Sequence, residues 1–256
     1  MTAYIAALRE ALQQGLALLE SAVAQPAGLA NDLRAMRQAL TDDAAAIPQP
    51  TPHHDRPSPG QALDAAALVQ RCVASLRNDG ALDDGWVTRA QLVLDRVVAM
   101  LGVEHRAPVA GKLRGLYVIV DPEVARGDAL AAASAALNGG ASAIQWRDKT
   151  RDKGDQLPDC LRLMEICARH DALLIVNDHA DLAAACGAHG VHVGQHDLTI
   201  GDARRSLAPG QVVGRSNATL AEAEASQEAG ADYLAVGAIY PSPSKANTRP
   251  DRKSVV

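Results

Sequence analysis

The chain has 256 residues, of which 48% are hydrophobic and 2% aromatic, with no phenylalanine. A hydrophobic fraction of this size excludes global disorder, and the scarcity of aromatic residues means that the core is built from Ala, Leu, Val and Ile. The formal net charge of −5 argues against a nucleic-acid partner, because binding to a phosphate backbone needs a basic surface.

The cysteines and the apolar segments indicate where in the cell the protein is expected. No pair of the four cysteines has CxxC spacing; they are Cys72, Cys160, Cys167 and Cys186. The N-terminus lacks the basic and apolar regions of a signal peptide, and no apolar run approaches the ~20 residues of a membrane helix. We therefore expect free thiols in a reducing cytoplasm, and no membrane partner.

The N-terminal part of the chain has the apolar spacing of amphipathic helices. In residues 1–47, apolar side chains recur at helical spacing on either side of a break at Pro26, which predicts a helical hairpin. Five prolines in residues 48–60 predict a linker, and residues 61–110 repeat the helical pattern as a second hairpin. The two hairpins predict a small all-α helical bundle, without a recognisable nucleophile, metal cluster or phosphate loop.

From residue 112, short β-rich runs alternate with alanine-rich helical stretches. Strands are predicted at about 115–120, 142–146, 172–176, 190–193, 211–214 and 233–237, with helices at about 123–138, 156–170, 180–187, 199–207 and 219–229. This alternation predicts an α/β fold with a parallel sheet and helical crossovers. A doubly wound sheet and a barrel both fit the alternation alone.

Polar residues follow almost every predicted strand, which is where the functional residues of an eight-stranded (β/α) barrel cluster. From the first strand to the sixth, they are Asp121; Gln145, Arg147 and Lys149; Asn177 and Asp178; His192, Gln195 and Asp197; Arg215, Ser216 and Asn217; and Ser242, Ser244 and Lys245. The placement favours the barrel.

These polar residues suggest a site for a phosphorylated ligand. Arg147 and Lys149 alternate along an extended segment, so we expect both to point to one side and to clamp a multiply charged anion. Asp178 and Asp197 follow successive strands, and two carboxylates beside phosphate oxygens are typical of a Mg²⁺ site. The loop at 241–245 offers hydroxyl groups and a lysine to a further anion. His189 is expected at the surface.

Five motifs, in the same order, resemble those of the thiamine phosphate synthase (thiamine-phosphate pyrophosphorylase) family. They are QWRDK at 145–149, ND at 177–178, GVHVGQHDL at 190–198, GRS at 214–216 and GAIYPSPSK at 237–245. The resemblance covers about residues 112–250. It implies a Mg²⁺-dependent transferase of thiamine biosynthesis, which joins hydroxymethylpyrimidine pyrophosphate and thiazole phosphate to give thiamine phosphate and pyrophosphate.

The resemblance also implies a role for each matching residue. The leaving pyrophosphate would be held by Arg147, Lys149, Asn177, Ser216 and Lys245, of which Arg147, Lys149, Ser216 and Lys245 are the catalytic candidates. Further substrate contacts would come from Gln145 and His192 in the pyrimidine pocket and from Ser242 and Ser244 in the last loop. Asp178 and Asp197 would hold the metal.

The predicted barrel is incomplete. Residues 112–250 supply about six strands of a (β/α)8 TIM-type barrel, whereas the family continues through two more. Residues 251–256 do not match the family and are expected to be a non-native tail. We therefore expect the chain as written to be a gene fragment without synthase activity.

Two other functions are alternatives to the synthase. A thiazole tautomerase-like barrel would share the fold and catalyse an isomerisation, and a non-catalytic ligand-binding or regulatory fragment would keep only affinity. The pyrophosphate and Mg²⁺ residues favour the synthase, because a tautomerase needs neither. The expected partners are the small-molecule substrates alone. The sequence does not decide whether the protein forms a homo-oligomer.

Overall fold

A computed structural model of the chain describes residues 2–23, 27–40, 56–125 and 128–237. The chain divides into two compact units, Met1–His105 and Arg106–Val256. Each unit has a hydrophobic core of its own. None of the helices in the described residues is long and apolar enough to cross a membrane.

The first unit is built from helices, in agreement with the predicted all-α segment. Its described helices are α1 (Thr2–Ala22), α2 (Ala27–Gln38), α3 (Pro59–Asn78) and the part of α4 (Asp84–Gly111) up to His105. Ser58 caps helix α3: its side chain accepts from the Gln61 amide, while the Gln61 side chain accepts from the Ser58 amide. This reciprocal cap fixes the start of the helix, and Pro59 suits its first position. Most of the predicted linker lies outside the described residues.

The regularly spaced apolar residues of the first unit are buried in its core, as predicted. One side of α1 buries Leu12, Leu16 and Leu19 completely, and these pack in the same core as Leu33 of α2 and Val69 of α3. Burial of Leu, Val and Ala side chains in one continuous cluster is therefore what stabilises this unit.

The second unit is a parallel sheet with helical crossovers. Its described strands are β1 (Leu116–Val120), β2 (Ala141–Trp146), β3 (Leu173–Asn177), β4 (Gly190–Val193), β5 (Val212–Asn217) and β6 (Tyr233–Val236). The helices between them are α5 (Ala129–Asn138), α6 (Lys153–Arg169), α7 (Ala180–Ala185), α8 (Ile200–Ser206) and α9 (Leu220–Glu228). Across the described residues the strands follow the order β1-β2-β3-β4-β5-β6, and each pairs in parallel with the next.

This strand order decides between the two folds that the alternation allowed. A doubly wound sheet reverses its strand order at a switch point, whereas the strands of a (β/α)8 barrel pair in the order of the chain. The sheet therefore has the topology of the first six strands of a barrel, which confirms the incomplete (β/α)8 prediction.

The element boundaries differ from the predicted ones where a side chain or a pairing intervenes. Helix α5 begins at Ala129 rather than near 123, because the Asp128 side chain accepts from the Ala131 amide and caps it there. Strand β5 continues to Asn217 rather than 214, because its last residues pair with β6 as far as Val236.

A glycine in β5 makes room for an aromatic ring inside the barrel. A Cβ atom on Gly214 would lie 1.9 Å from Cζ of Tyr233, which faces it from β6. No other residue fits here without displacing that ring, so the glycine of the GRS motif is explained by close packing.

Candidate active site

The carboxyl ends of β1, β2 and β3 bring two ion pairs together. Arg147 lies just beyond β2, where its amide donates to the Val120 carbonyl at 2.9 Å and its guanidinium pairs with Asp121 at the end of β1. The Lys149 ammonium lies 3.5 Å from the Asp178 carboxylate, at the end of β3. The two cations thus reach toward opposite neighbouring strands. The prediction that both side chains point to one side assumed that the strand continues through residue 149. Because β2 ends at Trp146, strand alternation does not apply to Arg147 and Lys149.

A second carboxylate lies beside Asp178. Desolvation by burial and the neighbouring Asp197 raise the pKa of Asp178, and the Lys149 charge opposes them. Asp197 comes from the loop after β4, where its Oδ2 accepts from the Gly194 amide at 2.7 Å. Two adjacent carboxylates repel each other unless a proton or a cation lies between them. The pair therefore suits a divalent cation that takes oxygen ligands.

The pair alone does not complete a metal site. Within the described residues, no group of three or more His, Cys, Asp and Glu side chains is placed to hold a metal. Mg²⁺ usually keeps several waters and binds through one or two carboxylates together with phosphate oxygens. The arrangement thus fits a Mg²⁺ that arrives with a phosphorylated ligand.

Inside the barrel, polar side chains from five strands form one connected chain. His192 of β4 lies between Tyr233, at 3.0 Å from its Nδ1, and Ser216 of β5, at 2.9 Å from its Nε2. The Tyr233 hydroxyl is 3.1 Å from the hydroxyl of Tyr117, which accepts from Gln145 Nε2 at 3.1 Å. Gln145 and His192 are buried. Three of the predicted site residues, Gln145, His192 and Ser216, are therefore linked through two tyrosines.

Comparison with known proteins identifies the family. The family model described as thiamine monophosphate synthase matches residues 116–254, which include the strand ends just described. The chain belongs to the thiamine monophosphate synthase family.

Relatives cover different parts of the chain. A thiamine-phosphate synthase of Thermosynechococcus vestitus is 34% identical over 221 residues, which are 84% of this chain and 62% of the relative. One of Thioalkalivibrio sulfidiphilus is 44% identical over 137 residues, 52% of this chain and 64% of the relative. A solved thiamine phosphate pyrophosphorylase of Pyrococcus furiosus is 34% identical, with a TM-score of 0.48, over 52% of this chain and 64% of its own. The chain spans less than two thirds of each of these relatives.

Several residues of the synthase-like motifs hold the loops in place. Asp148 is buried, and although desolvation raises its pKa, hydrogen bonds from Thr150 and Arg151 lower it below the usual value. The Arg151 guanidinium also lies over the Trp146 ring, 5.6 Å from its centroid. These contacts stabilise the loop that carries Arg147 and Lys149, so Asp148 helps to hold that loop in place.

The loops after β4 and β5 are tied to each other in the same way. Gln195 Nε2 donates to the Ser216 carbonyl at 2.6 Å, and Arg215 donates to the carbonyls of Leu198 and Gln195. Asn217 is buried and accepts from the Ser226 hydroxyl at 2.7 Å. The polar residues at these strand ends thus include loop supports as well as candidate ligand contacts.

Of the remaining predicted site residues, only Asn177 lies within the described part of the chain. Asn177 ends β3 and lies half-buried beside Asp178. Ser242, Ser244 and Lys245 lie outside the described residues. Tyr117 and Tyr233 were not predicted as site residues, because each stands in an apolar run that resembles an ordinary core strand. The signal that could have revealed them is a phenol among aliphatic residues, since a buried Tyr hydroxyl usually has a partner.

Proposed function

We propose that this barrel catalyses thiamine phosphate synthesis. The C–O bond of hydroxymethylpyrimidine pyrophosphate breaks, and its electron pair leaves with the pyrophosphate. The thiazole phosphate nitrogen then donates its lone pair to the pyrimidine methylene carbon. The observation that carries the proposal is the cluster of two cations and two neighbouring carboxylates at one edge of a barrel of this family.

The leaving group needs its charge neutralised as the bond breaks. Arg147 and Lys149 supply two positive charges, and Asn177 and Ser216 supply uncharged donors at the ends of β3 and β5. Lys149 is more than half exposed and pairs with Asp178 at 3.5 Å, so little is lost when it turns to a phosphate oxygen. Once the pyrophosphate is bound, positive charges already in place beside it stabilise the charge that develops as the bond breaks. Lys245, Ser242 and Ser244 would add to this set from the last loop.

Asp178 and Asp197 are the proposed Mg²⁺ ligands. Desolvation by burial and the proximity of Asp197 raise the pKa of Asp178. A bound cation would offset the repulsion between the two carboxylates. When bound, Mg²⁺ would neutralise charge on the departing pyrophosphate. The protein's own contribution is to keep both carboxylates at one point beside Lys149.

The other substrate contacts require no protein nucleophile. Gln145 and His192 would line the pyrimidine pocket, where their burial places them away from bulk water. Holding the two substrates in register then supplies much of the remaining rate acceleration. We also propose a cytoplasmic location, which the four free cysteines support.

The test has a binding arm and a turnover arm. Calorimetry with magnesium pyrophosphate should show binding to the chain, and Arg147→Lys should weaken it by about tenfold, because lysine keeps the charge and loses the planar fork. Turnover is measured as pyrophosphate release with both substrates, using the chain extended by the last two strand–helix units of a relative.

The outcomes separate the candidate functions. Pyrophosphate release that requires both substrates supports the synthase. Thiazole isomerisation without pyrophosphate release would indicate a tautomerase. Binding without either reaction would indicate a ligand-binding protein and would overturn the proposal.

A further inference from the structure

The connected polar side chains inside the barrel, called here the relay, donate their hydrogen bonds in one direction. The relay runs from Gln145 through Tyr117, Tyr233 and His192 to Ser216, with successive separations of 3.1, 3.1, 3.0 and 2.9 Å. Each phenol has one proton to donate, and a neutral imidazole has one donor and one acceptor nitrogen. With Gln145 donating to Tyr117, both phenol protons find an acceptor within these five side chains only if Tyr117 donates to Tyr233 and Tyr233 donates to His192.

Gln145 is the first donor. Its Nε2 donates to the Tyr117 oxygen, so the Tyr117 proton is available for Tyr233. Tyr233 in turn has its own proton available for Nδ1 of His192. Since Nδ1 is then an acceptor, the ring proton lies on Nε2 and is donated to the Ser216 oxygen. Ser216 keeps its own hydroxyl proton for a ligand.

Desolvation keeps both phenols protonated, as this order requires. Desolvation raises the pKa of Tyr117 to about 12, and it also raises the pKa of Tyr233. Both tyrosines thus remain protonated donors at any physiological pH. Gly214 leaves the space in which the Tyr233 ring lies, so that its hydroxyl reaches His192.

We propose that Tyr233, supported by Tyr117, is a positioning residue that holds His192 in the Nε2–H tautomer and so keeps the Ser216 hydroxyl as a donor to pyrophosphate. The inference rests on the proposed function, in which Ser216 contacts the leaving group. It adds the group that decides which way the Ser216 proton points.

The direction of the relay matches the two ends of the proposed substrate. At the Gln145 end, donation by Nε2 leaves Oε1 as an acceptor for a donor group on the pyrimidine. At the Ser216 end, a hydroxyl donor faces an anion that can only accept. The opposite direction would direct the Ser216 proton to His192 and leave an acceptor facing the pyrophosphate, which repels it.

The first experiment reads the tautomer directly in the 256-residue chain. Histidine labelled with ¹⁵N gives a pyridine-type shift for an acceptor nitrogen and a pyrrole-type shift for a protonated one, and His192→Asn identifies the signals of His192. We expect an acceptor Nδ1 and a protonated Nε2. His189 is an internal reference, because its Nδ1 accepts from the Leu174 amide at 3.0 Å.

Two tyrosine variants then test the order of the relay. Tyr233→Phe removes the donor to Nδ1 and should change the His192 signals, while leaving those of His189 in place. Tyr117→Phe should keep the Nε2–H tautomer, because Tyr233 still donates to Nδ1. A protonated Nδ1 in the unmodified chain, or unchanged His192 signals in Tyr233→Phe, would overturn the proposal, and the unmodified chain gives its answer even if a variant fails to fold.

The second experiment asks whether the tautomer matters for the ligand. The affinity for magnesium pyrophosphate should fall by about tenfold in Tyr233→Phe and in Ser216→Ala, which is the order expected for one hydrogen bond to a charged group. The double variant should be no weaker than Ser216→Ala alone, because both changes remove the same hydrogen bond. Tyr4→Phe, the same substitution at an exposed position of α1, is the control.

The two experiments fail independently. If the unmodified chain has the predicted tautomer but does not bind magnesium pyrophosphate, the proposed function is contradicted and the relay order stands. If it binds pyrophosphate and Tyr233→Phe binds equally well, the positioning role is wrong and the proposed function stands. Additive losses in the double variant would likewise contradict an action of Tyr233 through Ser216.

Discussion

The two ends of the barrel use the same kinds of charged residue in opposite ways. At the amino end of β6, the side chain of Asp232 is only 8% exposed. Its two oxygens accept from Arg106 at 2.9 Å, from Arg204 at 2.7 Å and from the Val213 amide at 2.7 Å. At the carboxyl end of β3, Asp178 has a lysine at 3.5 Å and another carboxylate beside it.

The difference separates charges that stabilise from charges that are kept for a ligand. A buried carboxylate whose two oxygens both accept hydrogen bonds, two of them from cations, is compensated for the loss of its hydration. A carboxylate next to a like charge, with one exposed lysine at 3.5 Å, is only partly compensated, which is what a cation-binding site requires. In barrels of this kind the amino end contributes to stability and the carboxyl end to chemistry.

The largest effect is expected from breaking the buried cluster. Asp232→Asn removes the charge that compensates Arg106 and Arg204, and breaking a buried pair in this way costs about 3–5 kcal/mol of the free energy of unfolding. Hydrogen exchange at the amides of β5 and β6 measures it for this unit alone. Asp171→Asn, in the exposed pair with Lys112, is the matched control and should leave the protection unchanged. Equal losses in both variants would show that burial does not distinguish the pairs.

A smaller loss is expected from overpacking the interior between the two ends. In Gly214→Ala the new Cβ would overlap the Tyr233 ring, and relief of such overlap costs about 1–3 kcal/mol. Gly154→Ala, where a Cβ meets no atom within 4 Å, is the control and should be neutral or slightly stabilising, because alanine favours the helix. Urea unfolding followed by Trp146 fluorescence, in a Trp86→Tyr background, compares them. A neutral Gly214→Ala would mean that the ring moves freely.

The carboxyl end should respond with the opposite sign. Asp178→Asn removes a like charge from Asp197, so we expect an unchanged or slightly higher free energy of unfolding, by up to about 1 kcal/mol. Asn also tolerates the backbone of this residue, whose φ is 62°. The affinity for magnesium pyrophosphate should meanwhile fall at least about tenfold. If Asp178→Asn destabilised the barrel as much as Asp232→Asn does, the contrast between the two ends would be wrong.

The sequence predicted the architecture of the barrel and the residues at its carboxyl end, but not those at its amino end. Strand–helix alternation and polar strand ends were enough to predict a barrel and to bring Arg147, Lys149 and Asp178 to one edge, because all parallel strands end on the same side. The Asp232 cluster was not predicted. Its arginines come from α4 and α8, and no local pattern indicates that they converge.

The same limit applies inside the barrel. Tyr117 and Tyr233 are separated by 116 positions in the chain, and their contact depends on how far the sheet curves, which apolar periodicity does not encode. His189 was expected at the surface but is half-buried, with its Nδ1 bonded to the Leu174 amide. That prediction was wrong because the residue precedes β4 and the loop turns its ring onto β3.

His189 gives the smallest expected effect, a pH dependence that arises at the amino end. Desolvation by burial and the nearby charge of Lys112 lower the pKa of His189, and Asp171 opposes them. The ring is therefore neutral in the fold, as its acceptor role toward Leu174 requires. A group whose pKa is lower in the folded state contributes stability that is complete above its unfolded pKa of about 6.5 and is lost as the pH falls through the folded pKa.

The check compares the pH curves of the unmodified chain and a variant rather than reading one curve alone, because the chain has eight histidines. We expect the stability of the unmodified barrel to fall from pH 7 to pH 5 more steeply than that of His189→Gln, which cannot be protonated there. Lys112→Gln should make the dependence shallower but not abolish it, since burial is the larger cause. Parallel stability curves for the unmodified chain and His189→Gln would show that the Leu174 contact does not depend on a neutral ring, and would contradict this prediction.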